Sequence, residues 1–199
     1  MHRGPVIRHT VNLSKFDIKA PLKIKSICIV FLAYLSCSLS QADIEGRVVA
    51  VTDGDTIKVL DDANVQHKVR LTGIDAPERS QPFGNKSKQS LAAMVAGKDV
   101  LVESDKNDRY GRVLGKVWVQ RRECPTCENM LDVNRAQLLA GMAWWYRYYA
   151  KQQSLEDRDL YESAEDKAKA MRVGLWSDAN PVPPWDYRRG KKDRGNDIT

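Results

Sequence analysis

The chain has 199 residues, 32 Lys and Arg against 26 Asp and Glu for a formal net charge of +6, and 42% apolar residues. That composition supports one globular domain with tails and excludes a collagen-like or wholly disordered chain; beyond residue 42 no apolar run approaches the ~20 residues of a membrane span, which excludes a polytopic membrane protein. The charge is uneven: residues 1–42 hold six bases and one acid, residues 186–199 five bases and three acids, so residues 43–185 carry 21 bases against 22 acids and any polyanion must be held by a local site.

Ile27 to Leu39 is a run of thirteen uncharged residues, preceded by Lys23 and Lys25 and followed by Ser40-Gln41-Ala42. This is the order of a secretory signal peptide, and it predicts cleavage before Asp43, export to the periplasm or beyond, and no stable membrane association afterwards. Cys28 and Cys37 fall in this leader, which leaves Cys124 and Cys127, spaced C-P-T-C. In an oxidising compartment this pair is expected to form a local disulfide. A redox motif would open a helix after a strand, and a zinc site would need two further ligands where only His67 remains.

Ile44 to Val51, Thr56 to Leu60 and Val65 to Leu71 are β-branched, partly alternating runs separated by Asp53-Gly54 and by Asp61-Asp62-Ala63-Asn64, which predicts a three-stranded meander. Lys86 to Ala96 follows helical spacing up to Gly97, and Lys98 to Glu103 and Arg112 to Val119 read as two more strands around a charged turn, Asp105 to Tyr110. Asp132 is placed to cap a helix through Ala140, and Ser154 with Asp157 to cap a last helix that buries Leu160, Ala164, Ala168 and Met171. Trp176 and Pro181 to Trp185 read as an apolar lid; beyond Tyr187 the chain reads as disordered. Five mostly antiparallel strands, a helix between the third and fourth, and helices after the barrel predict an α+β chain with an OB-type closed sheet. The expected organisation is a signal peptide over 1–42, a domain over 43–185 and a basic, disordered tail over 186–199.

A lone histidine between Gln66 and Lys68 on a strand excludes chemistry that needs two imidazoles, so the useful titrating groups are carboxylates. Asp53 and Asp55 lie in T-D-G-D-T, Asp75 and Glu78 in G-I-D-A-P-E. Each is also an ordinary turn pattern. If the first and third strands are neighbours in a closed barrel, Asp55 and Asp75 meet with a third acid close by, a cluster suited to Ca²⁺ or Mg²⁺. Arg70, alternating with Val69 and Leu71, and Arg112, opening a strand, would flank the cluster with guanidiniums able to grip phosphate oxygens.

The runs DGDT, VRLTGIDAPE, DRYGR and GMAWW at these spacings resemble the thermonuclease, or staphylococcal nuclease-like, family over about residues 44–176. The resemblance implies a five-stranded OB barrel with about three helices and calcium-dependent hydrolysis of DNA and RNA to 3′-phosphate ends by a monomer. It implies that Asp55, Asp75 and the carbonyl of Ala76 bind calcium with Asp53 in support, and that Glu78 orients or deprotonates the attacking water. It further implies that Arg70 and Arg112 hold the phosphate, and that Arg109, Tyr110 and Tyr149 touch the substrate. Two features depart from the pattern: the loop Arg79 to Gly84 is short, and Arg147 replaces an aromatic residue expected near the base, where Trp144, Trp145, Tyr146 and Tyr148 offer either stacking or core packing. The competing readings are a non-catalytic OB-fold nucleic-acid-binding module and an interaction module with vestigial acids.

Overall fold

The computed structural model describes residues 43–120 and 130–196. Strands β1 (Ile44–Asp53), β2 (Thr56–Leu60) and β3 (Gln66–Leu71) form the antiparallel meander, with Val48 opposite Val59 and Ile57 opposite Val69. Alternation sends Ile57, Val59, Val69 and Leu71 inward, where all four are buried, while Arg70 between the last two faces the other way. A two-residue strand β4 (Ile74–Asp75) precedes helix α1 (Gly84–Val95), which rests on the barrel through Leu91 and Val95.

Strands β5 (Asp99–Asn107) and β6 (Val113–Gln120) complete the barrel: β1 pairs with β5, β5 with β6, and β6 closes the sheet by pairing in parallel with β3. β5 runs on to Asn107, past its expected end at Glu103, because a bulge between Ser104 and Lys106 carries the ladder with β6 further. Strand β7 (Met130–Asp132) adds to β6, and β8 (Trp144–Trp145) pairs with β4. This closed, mixed five-stranded barrel with its helices is the OB-type α+β fold that the sequence implies. The expected adjacency of the first and third strands is corrected: β1 lies between β2 and β5, and β3 between β2 and β6.

Helix α2 (Val133–Leu139) is capped as expected, the Asp132 carboxylate accepting from the Arg135 backbone N–H, and it buries Val133 and Leu138. Helix α3 (Leu155–Ala170) begins at Ser154, whose hydroxyl accepts from Asp157 N–H. Its inner face is Tyr161, Ala164 and Ala168, with Leu160 at the edge of the core. Met171 is 71% exposed: it is the C-cap, one residue beyond the helix end at Ala170. Each fully buried large side chain contributes roughly 1.5–3 kcal/mol of transfer free energy, so this register holds α3 in place.

Short 3₁₀ turns occupy Arg147–Gln152 and Gly174–Ser177, and the described chain ends in helix α4 (Pro184–Asn196). Residues 186–196, expected to be disordered, therefore lie within a helix. Its composition is polar and contains two glycines, so propensity does not explain it. What holds it is tertiary: the Trp185 ring stacks on Tyr146 at 5.5 Å, the Tyr187 hydroxyl donates to the Ser80 carbonyl at 3.0 Å, and Arg188 reaches two carboxylates. The leader, Cys124 and Cys127 lie outside the described residues. Among the described residues no helix is long and apolar enough to cross a membrane.

Candidate active site

The turn from β1 to β2 is fixed from two sides. Gln137 of α2 donates through Nε2 to the carbonyl of Gly54 at 2.7 Å and to that of Ser87 at 3.2 Å, while Ser90 Oγ donates to its Oε1 at 2.6 Å. A Cβ on Gly54 would overlap the Ser87 hydroxyl, so only glycine lets this turn sit so close to α1. The clamp aims Asp53 and Asp55. Asp55 N–H donates to Asp53 Oδ1 at 3.1 Å, and Thr56 Oγ1 donates to Asp55 Oδ1 at 3.1 Å.

Asp55 then meets the far end of β3, although β1 does not border that strand. Leu71 N–H donates to the Asp55 carbonyl at 2.8 Å, and Ala76 N–H donates to Asp55 Oδ2 at 2.7 Å. Since Ala76 follows Asp75 directly, that bond draws the two aspartates together; the antiparallel pairing of Asp75 with Trp144 holds the second one in position. The turn and β2, rather than contact between first and third strands, account for the convergence.

Arg70 closes the pair. Its Nη1 forms an ion pair with Asp55 Oδ2, and its Nη2 donates to Asp75 Oδ1 at 2.9 Å. The side chain is only 14% exposed and Asp75 is 1% exposed. Burial by itself would lower the Arg70 pKa, but the charges of Asp55, Asp75 and Asp53 outweigh it and raise the value. Burial raises the Asp75 carboxyl against the opposing pull of Arg188 and Arg70. Burial, and then the charge of Asp55, push the Asp53 carboxyl up to about 6.

Glu78 stands on the short loop before α1. Its backbone is braced by Gln81, whose Oε1 accepts from Glu78 N–H at 3.1 Å and whose own N–H donates to the Glu78 carbonyl at 2.8 Å. A Cβ on Gly84 would overlap that same carbonyl, so glycine lets the loop fold back this tightly at the start of the helix. The Glu78 carboxylate is 40% exposed and is met by Arg188 from α4, Nη1 to Oε1 at 2.8 Å.

Asp53, Asp55, Arg70, Asp75, Ala76 and Glu78 line one cleft of about 1250 Å³, together with Arg109, Tyr110, Arg112, Tyr146, Tyr149 and Arg188. Arg112 therefore shares the cleft, but its Nε donates to Asp108 Oδ2 at 2.7 Å, and Asp108 Oδ1 accepts from the N–H groups of Tyr110 and Arg112 at 2.9 Å each. Arg109 donates to the Tyr110 hydroxyl at 2.7 Å in the same turn, and Tyr110 is 69% exposed. Tyr149 meets Tyr146 edge to face at the cleft wall. Arg147 is absorbed elsewhere, paired with the buried Glu165 at 2.8 Å and lying 4.3 Å over the Trp145 ring. His67 pairs with Asp61 at 2.7 Å and does not line the cleft.

The sequence reading missed Arg188, Gln137 and Asp108. Gln137 looked like any polar residue on a helix, and its buried position is a tertiary fact. Asp108 was visible only as part of a charged turn.

Among the described residues no group of three or more His, Cys, Asp and Glu side chains stands ready to hold a metal ion. The carboxylate pair Asp55 and Asp75 nonetheless fits a hard cation chemically. Its donors are oxygens only, and the raised Asp53 and Asp75 carboxyls show buried negative charge that an added cation would stabilise.

A family model described as staphylococcal nuclease homologue matches residues 68–178, a span that includes Arg70, Asp75, Glu78 and Arg112. Protein ParB of Escherichia coli is 44% identical over 153 residues, 77% of this chain and 84% of its own. A micrococcal nuclease of Shigella flexneri is 42% identical over 156 residues, 78% of this chain and 86% of its own. An uncharacterized endonuclease of Haemophilus influenzae is 35% identical over 175 residues, 88% and 89% of the two chains. A family match across more than half the chain, joined to relatives at these identities along most of their own length, means that the chain belongs to the staphylococcal nuclease homologue family.

Proposed function

We propose that this member of a nuclease family is a calcium-dependent endonuclease that hydrolyses phosphodiester bonds of DNA and RNA and leaves 3′-phosphate ends. The single observation behind the proposal is the convergence of Asp55, Asp75, Arg70 and Glu78 in one cleft that Arg112 also lines. Asp55, Asp75 and the carbonyl of Ala76 would hold the calcium ion, with Asp53 behind them. When bound there, a calcium ion would supply positive charge that stabilises the phosphate and makes water more acidic.

The chain's own groups account for the remaining chemistry. Glu78 is the one acid of the four that is not assigned as a ligand or as its support, and its exposure lets water reach it. Glu78 would take the proton of the attacking water as its oxygen bonds to phosphorus, and the bond to the 5′ oxygen breaks with that oxygen taking a proton from solvent, which leaves a 5′-hydroxyl and phosphate on the 3′ oxygen. Arg70, held in place by two buried carboxylates, and Arg112, steadied by Asp108, meet the charge that grows on the equatorial oxygens. Arg109, Tyr110 and Tyr149 extend the cleft toward neighbouring phosphates and bases. The order of charged, apolar and small residues before Asp43 supports export, and so action on nucleic acid outside the cytoplasm.

The test is cleavage of single-stranded DNA and of RNA in calcium and in excess chelator, with product ends read by whether polymerase extension needs prior phosphatase treatment. Calcium-dependent products blocked by 3′-phosphate are expected. Full activity in chelator, or freely extendable ends, would refute the reading.

A further inference from the structure

Asp75 carries more guanidinium than the proposed chemistry allows. Its Oδ1 accepts from Arg70 Nη2 at 2.9 Å and from Arg188 Nη1 at 3.3 Å, and its Oδ2 accepts from Arg188 Nη2 at 2.7 Å. The same Arg188 donates to Glu78 Oε1 at 2.8 Å. Three of the about four lone-pair sites of the Asp75 carboxylate are thus taken by guanidinium N–H groups, and the Glu78 oxygen that faces Arg188 is occupied where a water would have to sit. Arg70 is built into the barrel, whereas Arg188 arrives on the last helix and is 42% exposed. Of the two, Arg188 is the one able to leave.

Among the described residues, α4 and the segment just before it attach to the loop that carries Glu78 and to the aromatic residues Tyr146 and Trp144, besides the Arg188 ion pairs. Tyr187 and Lys191 bond to Ser80, the Val182 carbonyl accepts from Gln81 Nε2 at 2.5 Å, and Trp185 stacks on Tyr146. They are few, mostly exposed, and independent of the barrel ladder. Such contacts give a segment that opens at low free energy without unfolding the domain.

We propose that α4 is an intramolecular latch: in the cation-free protein the Arg188 guanidinium occupies Asp75 and Glu78 in place of a divalent cation and its water, and it must withdraw before the site works. The inference rests on the assignment of Asp75 and Glu78 made above. Calcium and Arg188 then compete for Asp75, so calcium binding is weakened by the fraction of molecules in which the latch is closed.

The test is calorimetric titration of the whole mature protein and of Arg188→Gln with calcium, in the absence of nucleic acid. Arg189→Gln serves as control, since among the described residues Arg189 pairs only with Asp186 on its own helix, at 3.0 Å. Circular dichroism establishes that each variant is folded, and Arg188→Lys, which keeps charge without the two-point grip, provides a second variant. Arg188→Gln is expected to bind calcium about tenfold more tightly than wild type, Arg188→Lys to fall between, and Arg189→Gln to match wild type. In parallel, calcium is expected to speed hydrogen exchange of the amides of residues 185–190 in the wild-type protein. Calcium binding that is present but unchanged or weaker in Arg188→Gln, or exchange unchanged or slowed by calcium, overturns the latch alone. Absence of calcium binding in wild type and variant alike overturns the cation assignment of Asp55 and Asp75, and the latch with it.

Discussion

Arg70 and Arg188 approach the same carboxylate from two different kinds of structure. Arg70 lies in a strand that is paired on both sides, opposite Thr56 on β2 and Leu114 on β6, and its side chain is almost withdrawn from solvent. Arg188 lies on α4, outside the barrel ladder, and its side chain is 42% exposed although its partner Asp75 is buried. Equal ion-pair geometry thus has unequal meaning. A group held by the barrel ladder is positioned before any ligand arrives, whereas one carried by a segment with few contacts outside the ladder can be exchanged by local opening.

The largest expected effect breaks the barrel-held side of this comparison. Arg70→Lys and Arg112→Lys should each lower kcat by at least about 10²-fold, because lysine cannot reproduce a planar two-point grip on phosphate oxygens. Steady-state hydrolysis of single-stranded DNA at saturating calcium measures this, once circular dichroism shows both variants folded. Near-normal kcat in both would remove the guanidiniums from the chemistry.

A second prediction separates scaffold from site. Asn134 is fully buried at the seam where β3 meets β6: its Nδ2 donates to the carbonyls of Thr72 at 3.0 Å and Gly115 at 3.2 Å, and its Oδ1 accepts from Val117 N–H at 3.1 Å. Asn134→Ala orphans buried backbone groups and should reduce stability by about 3 kcal/mol in urea denaturation. Cleavage per folded molecule should change little, since Asn134 touches no group of the cleft's acid and arginine set. A large loss of kcat in the folded fraction would show that seam and site are not separable.

The smallest effect concerns charge stored without a cation. The Asp53 carboxyl rises from its ordinary 3.8 to about 6 on folding, so between those values the folded protein holds a proton that the unfolded chain has released. This group's contribution therefore falls as pH rises through that window, and its penalty is complete above about pH 6. Asp53→Asn keeps an acceptor for Asp55 N–H and removes the charge. In chelator it should be more stable than wild type above pH 6, by on the order of 1–2 kcal/mol, with the advantage gone below about pH 4. Thermal melts across pH 4–8 decide it, and an advantage that grows toward acid would contradict the assigned sign.

Much of this was legible before any coordinates. The meander showed itself because β-branched alternation and Asp-Gly turns act locally, and that Asp55, Arg70, Asp75, Glu78 and Arg112 would come together was readable because their short motifs lie at strand ends. The convergence of Asp55 and Asp75 was foreseen for the wrong reason. Alternation and turn signals say which runs are strands but not which strands border each other, and the observed link is Ala76 N–H on Asp55 Oδ2. Helix α4 and Arg188 were illegible because a polar sequence with two glycines is held here by contacts to Tyr146, Trp144, Ser80, Asp75 and Glu78, all distant in the chain. Gln137 was hidden for the same reason: its partners Gly54 and Ser87 are brought to it by the closed barrel.

The measurement closest to the central claim is the single-turnover rate of DNA hydrolysis by folded Glu78→Gln at saturating calcium. The substitution keeps the size and the acceptor oxygen of the side chain while removing its ability to take a proton. If Glu78 holds and deprotonates the attacking water, the rate falls by ~10² or more while calcium binding persists. A rate within a few-fold of wild type, with calcium still bound, would contradict the account.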